Sequence, residues 1–122
     1  MTRYWLAIAG LGGFVSIVAG AVAAHTATDP QAAEFLRTGA TYGLIHAAAL
    51  IAVLALAQGR EPRRGAAWVA GWSFSLGIVL FSFGLFALAE TRVAWFGWAT
   101  PFGGLCFMVG WASLAILALR RR

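Results

Sequence analysis

Four long apolar stretches, separated by short polar segments, dominate the pattern of this 122-residue chain. They cover residues 4–24, 40–57, 66–89 and 99–119, and each reaches or approaches the ~20 residues that a helix needs to cross ~30 Å of hydrocarbon. Their apolar positions are continuous rather than alternating, which argues against barrel strands, and lipid offers no partner to unpaired backbone groups. The pattern therefore predicts an all-α fold, in which residues 1–122 form a single domain built as a four-helix transmembrane bundle.

Composition supports membrane insertion, and the placement of charge predicts an orientation. Hydrophobic residues make up 61% of the chain and charged residues 11%, compared with about 25% charged residues in soluble domains. With four crossings, Arg37 and Arg92 lie on one side of the membrane, and the other side holds Arg3, Arg60, Arg63, Arg64, Arg120, Arg121 and Arg122. The positive-inside rule therefore predicts that both termini are cytoplasmic. The net charge of +5 then reflects topology and contact with anionic lipid headgroups, and we expect no nucleic-acid partner.

The longest polar interval separates the first two apolar stretches. Within it, Asp29 followed by Pro30 is typical of a helix start, because aspartate caps a helix and proline suits the first helical position. We expect a short interfacial helix over residues 30–38 and then a bend near Gly39 into the second span. One continuous helix over residues 30–57 is the alternative.

One ionisable side chain, His46, lies within the otherwise apolar second span. It shares a helical face with Gly39 and Gly43, one turn after Tyr42, so we expect it to face other helices in the outer half of the bilayer. The four-span topology brings further polar side chains toward the same half: His25 and Thr100, with Glu90 and Cys106 as weaker candidates. The candidate functional cluster is therefore His46, Tyr42, His25 and Thr100.

Three interpretations of His46 follow from its residue type and position. A neutral imidazole can make a structural hydrogen bond between helices. Ionisable residues inside membranes also mark proton or substrate paths. Metal or haem ligation would need His25 and His46 to meet, and two ligands alone do not specify a metal. We therefore predict no metal site and no cofactor, and the single cysteine, Cys106, excludes an internal disulfide and fits as a small apolar residue.

Small residues recur at helical spacing along the spans, a pattern that lets helix backbones approach one another closely. The positions predicted to mediate helix packing are Gly12, Ser16, Gly20, Gly43, Gly71, Ser75, Gly103 and Gly110. Such faces are more numerous than one compact bundle needs. Besides the lipid bilayer, we therefore expect a protein partner, either further copies of the chain in a homo-oligomer or a larger membrane complex.

Four motifs resemble those of one known family. Residues 20–25 read GAVAAH and resemble GAxGAH; residues 42–47 read YGLIHA and resemble YxxxHA; residues 77–82 read GIVLFS and resemble GILLFS; residues 100–104 read TPFGG and resemble TPLGG. In this order they are similar to the YgdD family, small bacterial inner-membrane proteins of unknown function with mitochondrial relatives in animals. The resemblance implies four helices in a bacterial inner membrane, but no activity. Residues 90–98 depart from the family pattern, being longer and more charged.

The residue pattern disfavours an enzyme, because it has no paired carboxylate site, Ser/His/Asp arrangement, HExxH motif or phosphate-binding loop. We favour a non-enzymatic structural or accessory component of the membrane. The alternative is a small oligomeric transporter or channel that uses His46 in an outward-facing cavity, although the first span lacks the glutamate of small multidrug transporters. A metal- or haem-binding membrane protein using His25 and His46 is the second alternative.

Overall fold

The computed structural model describes residues 2–120, which form a bundle of helices joined by short loops. Four helical spans are long and apolar enough to cross a membrane, which confirms the predicted all-α, four-span architecture. The elements are α1 (Thr2–His25), α2 (Pro30–Ala57), α3 (Arg63–Gly77), a π-helical segment (Ile78–Phe83), α4 (Gly84–Thr91) and α5 (Ala94–Leu119). The third span, Arg63–Thr91, thus joins α3, the π-helical segment and α4. Met1, Arg121 and Arg122 lie outside the described residues, although the two arginines contribute to the predicted charge asymmetry.

The helix α2 begins where the sequence places a helix start, but it does not bend where a bend is expected. The Asp29 side chain accepts a hydrogen bond from the Gln31 backbone N–H at 3.0 Å, and Pro30 is the first helical residue. From there the helix continues for 28 residues without interruption. The expectation of a separate interfacial helix over residues 30–38, ending in a bend near Gly39, is therefore wrong.

Tertiary packing explains why α2 stays helical at Gly39. Leu36, Gly39 and Ala40 are all buried, so the buried face of α2 continues through the glycine. A Cβ on this glycine would lie 2.6 Å from the Phe86 ring of α4. It would also lie 3.1 Å from the Ser82 backbone oxygen. The glycine therefore allows close helix packing rather than a bend, and these contacts outweigh its ~1 kcal/mol lower helix propensity.

The third span is the most buried of the four. Half of its apolar stretch (50%) is buried inside the bundle, compared with 22% for α5. It contributes to the larger of two core clusters, which comprises Trp5, Ala9, Leu50, Val53, Ala67, Ala70, Phe74, Ile78 and Phe107. The smaller cluster comprises Ala19, Ala23, Leu36, Ala40 and Ala89. Because lipid is as apolar as these side chains, close packing rather than the hydrophobic effect stabilises the contacts between spans.

The small residues singled out in the sequence lie where helices meet. A Cβ placed on each glycine would approach a residue of another element: Ile78 for Gly12, Ala40 for Gly20, Ser16 for Gly43, Trp5 for Gly71, Phe81 for Gly103 and Phe74 for Gly110. Ser75 is buried and donates a hydrogen bond to the Gly71 backbone oxygen at 2.7 Å. One of the closest approaches is at Gly103, where the Phe81 Cβ would lie 2.8 Å from an added Cβ.

The π-helical segment is a feature that the apolar pattern of the third span does not indicate. Its wider turns place Ile78 and Ser82 in the core and Phe81 against Gly103 of α5. The Phe81 ring also contacts the Tyr42 ring, with 4.9 Å between centroids. Single π-turns are often found at functional sites, and this one borders the residues around His46.

Arg92 connects the loop between α4 and α5 to the loop between α1 and α2, at the end of the bundle opposite Thr2 and Arg120. It ends α4 in the left-handed conformation, with φ of 58°. Its guanidinium forms an ion pair with Asp29 and donates a hydrogen bond to the Gln31 side-chain oxygen at 2.6 Å. Because both charges are partly exposed, the pair contributes no more than about 1 kcal/mol, but it fixes the start of α2 beside the end of α4.

Candidate functional site

His46 is held inside the bundle by two hydrogen bonds. The residue is 3% exposed. Its Nδ1 lies 2.7 Å from the Tyr42 backbone oxygen, and the Trp111 indole N–H donates to its Nε2 over 3.0 Å. Tyr42 precedes His46 by one turn of α2, whereas Trp111 belongs to α5. His46 therefore links α2 to α5.

These two partners determine the tautomer of the imidazole. An indole N–H can only donate a hydrogen bond, and a backbone carbonyl can only accept one. Nδ1 of His46 must therefore carry the proton, while Nε2 presents its lone pair to Trp111. A second proton on Nε2 would point at the indole N–H and replace a hydrogen bond with two opposed donors. The geometry thus requires a neutral imidazole.

Aromatic rings surround the remainder of the imidazole. Phe107 stacks on it, with 3.5 Å between centroids and 9° between the planes. Phe74 approaches its edge at a centroid distance of 5.4 Å, and the Trp111 ring does so at 6.0 Å. In such apolar surroundings an unpaired polar atom is costly, so the two hydrogen bonds of His46 matter more than they would near water.

An apolar groove of about 420 Å³ opens beside His46. It is lined by Tyr42, His46, Phe81, Pro101, Gly104, Leu105, Phe107, Met108 and Trp111. Tyr42 is 44% exposed and Met108 66% exposed, so the groove opens sideways onto the surface that faces lipid. Because both ring nitrogens of His46 are already hydrogen-bonded, the groove presents aromatic surface rather than a free imidazole nitrogen.

Thr100 and Cys106, which the sequence predicts near His46, both lie on α5, but neither lines the groove beside His46. Thr100 donates a hydrogen bond to the Phe96 backbone oxygen at 3.1 Å, and its hydroxyl lies 3.5 Å from the Cβ position of Gly84, so it faces α4. Cys106 is a half-buried free thiol and is not among the residues that line the groove. Of the predicted cluster, Tyr42 is therefore the member that contacts His46.

His25 and Glu90 are exposed at the ends of their helices, away from His46. Ser16 of α1 packs against Gly43 of α2, which sets the register of these antiparallel helices. On α1, His25 lies nine residues beyond Ser16, which corresponds to about 13 Å of helix rise. On α2, His46 lies on the other side of the level at which Ser16 meets Gly43. The two imidazoles therefore do not meet and cannot bind one metal ion at ligand distances of about 2 Å.

Trp111 is the partner of His46 that reading the sequence did not identify. Trp95 and Trp98 lie close to the end of a span, as tryptophans in membrane proteins commonly do. Trp111 lies well inside α5 instead, at a depth where hydrocarbon offers no acceptor to its N–H. A tryptophan at that depth, one turn after Phe107, is a signal that the indole has an acceptor on a neighbouring helix.

Two buried hydroxyls lie beside Gly43. Ser16 of α1 and Ser82 of the π-helical segment are both 0% exposed, and neither hydroxyl has a hydrogen-bond partner within residues 2–120. Both approach the position that a Cβ on Gly43 would take, with Ser82 Oγ at 3.2 Å. The glycine thus gives room to two serine side chains, and three helical elements meet at this point.

The four apolar spans and the contacts between them define a small multi-pass membrane protein. The sequence matches the family described as "Protein of unknown function (DUF423)" over residues 19–104. Because this match covers more than half of the chain, the chain belongs to that family.

Curated relatives agree with the family match. The chain is 36% identical to a UPF0382 membrane protein of Haemophilus influenzae, over 94% of this chain and 93% of the relative. It is 34% identical to the UPF0382 inner membrane protein YgdD of Escherichia coli K12, over 98% and 92%, and 29% identical to the UPF0382 membrane protein YwdK of Bacillus subtilis, over 97% and 98%. No solved structure matches the chain. These findings confirm the resemblance to the YgdD family and the assignment to the inner membrane.

Proposed function

We propose that this protein is a non-enzymatic structural or accessory component of the bacterial inner membrane, in which His46 joins two helices. The hydrogen bonds from Trp111 to His46 and from His46 to Tyr42 carry the proposal. A proton carrier must take up and release a proton at an accessible nitrogen. Here both nitrogens are used within the bundle and the residue is 3% exposed, which supports a structural role over that of a transporter or channel.

The distribution of the other polar side chains also supports a non-enzymatic role. General acid–base catalysis needs its groups within hydrogen-bond reach of one reacting atom. His25 and Glu90 are exposed at helix ends, Thr100 bonds to its own helix, and Cys106 lies outside the groove beside His46. In the described part of the chain, these side chains therefore converge on no common point.

Proton flux into proteoliposomes tests the role of His46. A pH-sensitive dye reports flux under an imposed gradient for the wild-type protein and for His46→Gln. We expect the same flux from both, and a lower unfolding temperature for His46→Gln because its amide cannot reproduce both hydrogen bonds. Flux that the wild type supports and folded His46→Gln loses would show a proton path and overturn the proposal.

We also propose that both termini are cytoplasmic. The distribution of arginine supports this orientation, because Arg3, Arg60, Arg63, Arg64 and Arg120 lie at one end of the described bundle. Thiol labelling with an impermeant maleimide tests it, in a Cys106→Ser background. Gln58→Cys should react only after the cells are permeabilised, whereas Thr28→Cys should react in intact cells. The reverse pattern would contradict the orientation.

A partner in the same membrane, either a second copy or a larger complex, completes the proposal. Gly10 supports it, because a Cβ placed there would have no neighbouring atom within 4 Å, so this outward face of α1 leaves room for another helix. Mild detergent extraction followed by native electrophoresis measures the assembly. Migration as a monomer that co-purifies with no other protein would contradict an accessory role.

A further inference from the structure

The arginine-bearing end of the bundle contains a small groove with a distinctive lining. It has a volume of about 170 Å³ and lies where α1 and α3 begin and α2 ends. Its lining residues are Thr2, Trp5, Ala57, Arg64 and Trp68. This Arg64 groove shares no lining residue with the groove beside His46.

The side chains of the Arg64 groove supply hydrogen-bond donors and no carboxylate. Arg64 carries a fixed positive charge, and its planar guanidinium binds phosphate oxygens in pairs. Thr2 adds a hydroxyl, and the indole N–H of Trp5 has no acceptor among residues 2–120. This combination fits an anionic ligand.

Two tryptophans make the rest of the Arg64 groove apolar. Trp5 is 1% exposed and packs against α3, with its nearest ring atom 2.5 Å from the Cβ position of Gly71. Trp68 is 51% exposed at the rim. Tryptophans near the ends of spans lie at the level of lipid headgroups. A ligand here would have its anionic group beside Arg64 and hydrocarbon beside Trp68, which is the chemistry of a phospholipid.

Two neighbouring grooves at the same end also contain an arginine but differ in chemistry. One, of about 270 Å³, includes Arg120 together with Glu61, whose carboxylate repels an anion. The other, of about 310 Å³, contains Arg63 and is otherwise lined by aliphatic side chains: Leu56, Leu114, Leu117 and Ala118. Of these three grooves, the Arg64 groove is the one that combines an arginine with additional donors and an aromatic wall.

We propose that the Arg64 groove binds the phosphate of an anionic phospholipid such as phosphatidylglycerol. Arg64 pairs with the phosphate, Thr2 donates a further hydrogen bond, and the acyl chains lie along Trp68 and the outer face of α3. A zwitterionic phospholipid binds less well, because no lining carboxylate balances its ammonium group. The site depends neither on which side of the membrane the groove faces nor on the role of His46.

Native mass spectrometry of the protein in detergent, with equal amounts of phosphatidylglycerol and phosphatidylcholine, tests the proposal. The wild type should retain phosphatidylglycerol preferentially. Arg64→Gln should lower that retention by about tenfold, the effect of losing one charge-assisted pair. Arg64→Lys should give an intermediate value, because lysine keeps the charge but not the paired geometry. Arg120→Gln and Arg63→Gln remove the same charge at the same end and should stay within about twofold of the wild type.

Four results would overturn the proposal. These are equal retention of both lipids by the wild type, unchanged retention by Arg64→Gln, an equal loss in Arg120→Gln, and displacement of phosphatidylglycerol by inorganic phosphate. The third would mean unspecific attraction to a basic surface, and the fourth would mean a phosphate site without a lipid. Arg64 is exposed, so unfolding temperatures without added lipid should match between Arg64→Gln and the wild type.

Discussion

The hydrogen bond between Trp111 and His46 provides the most direct test of the structural role of the imidazole. Trp111→Phe keeps an aromatic ring on α5 but removes the donor 3.0 Å from Nε2. Nε2 then becomes an unpaired acceptor in a residue that is 3% exposed. A buried unsatisfied acceptor costs about 1–3 kcal/mol, whereas hydrogen bonds between membrane helices contribute about 0.6–2 kcal/mol.

The smaller ring of phenylalanine adds little to this cost. Trp111 is 46% exposed at the surface of the bundle, so lipid fills the space that the smaller phenylalanine ring leaves. Because lipid is as apolar as the lost part of the indole ring, this exchange costs little. We therefore expect Trp111→Phe to lower the free energy of unfolding by about 1–2 kcal/mol, measured by reversible unfolding with SDS in mixed micelles. Trp98→Phe is the matched control, because Trp98 is 74% exposed, and its effect should stay below about 0.5 kcal/mol.

A double-mutant cycle separates the hydrogen bond from the loss of ring volume. His46→Leu removes the acceptor, so adding Trp111→Phe to it should cost little more. The cycle should give a coupling energy of about 1 kcal/mol. If Trp111→Phe destabilises the protein equally with and without His46, or no more than Trp98→Phe does, the hydrogen bond is not what holds α2 to α5 and the structural role fails.

Two further predictions concern packing and the tautomer. Gly103→Ala should destabilise the protein by about 1–3 kcal/mol, because its Cβ would lie 2.8 Å from the Cβ of Phe81. Gly13→Ala is the matched control and should be neutral or slightly stabilising, because its Cβ would meet the Ala47 Cβ at 3.9 Å, an ordinary contact. Equal losses of the two variants in SDS unfolding would contradict the packing at Gly103. In nitrogen NMR of protein labelled at its two histidines, His46 should show the neutral tautomer with the proton on Nδ1, distinct from the exposed His25, and a proton on Nε2 would contradict the bond from Trp111.

The chemistry at His46 depends on contacts that local sequence does not encode. Helical periodicity places His46 one turn after Tyr42, and in the structure the Tyr42 carbonyl bonds Nδ1. The other partner, Trp111, is 65 positions away, and periodicity does not say which residue of another helix lies opposite. The same limit explains Thr100, which the sequence places in the predicted cluster but which is turned toward Gly84 of α4.

The sequence by itself determined the all-α class, the four spans and the membrane location. Hydrocarbon thickness and the need to pair every backbone group leave few other structures for such a chain. Only the tertiary structure decided that α2 continues through Gly39, that residues 78–83 form a π-helical segment and that His46 pairs with Trp111. The physical reason is that lipid-facing and protein-facing sides of these helices are both apolar. Close packing at small residues and a few hydrogen bonds, rather than hydrophobicity, therefore set how each helix is rotated and which residues meet.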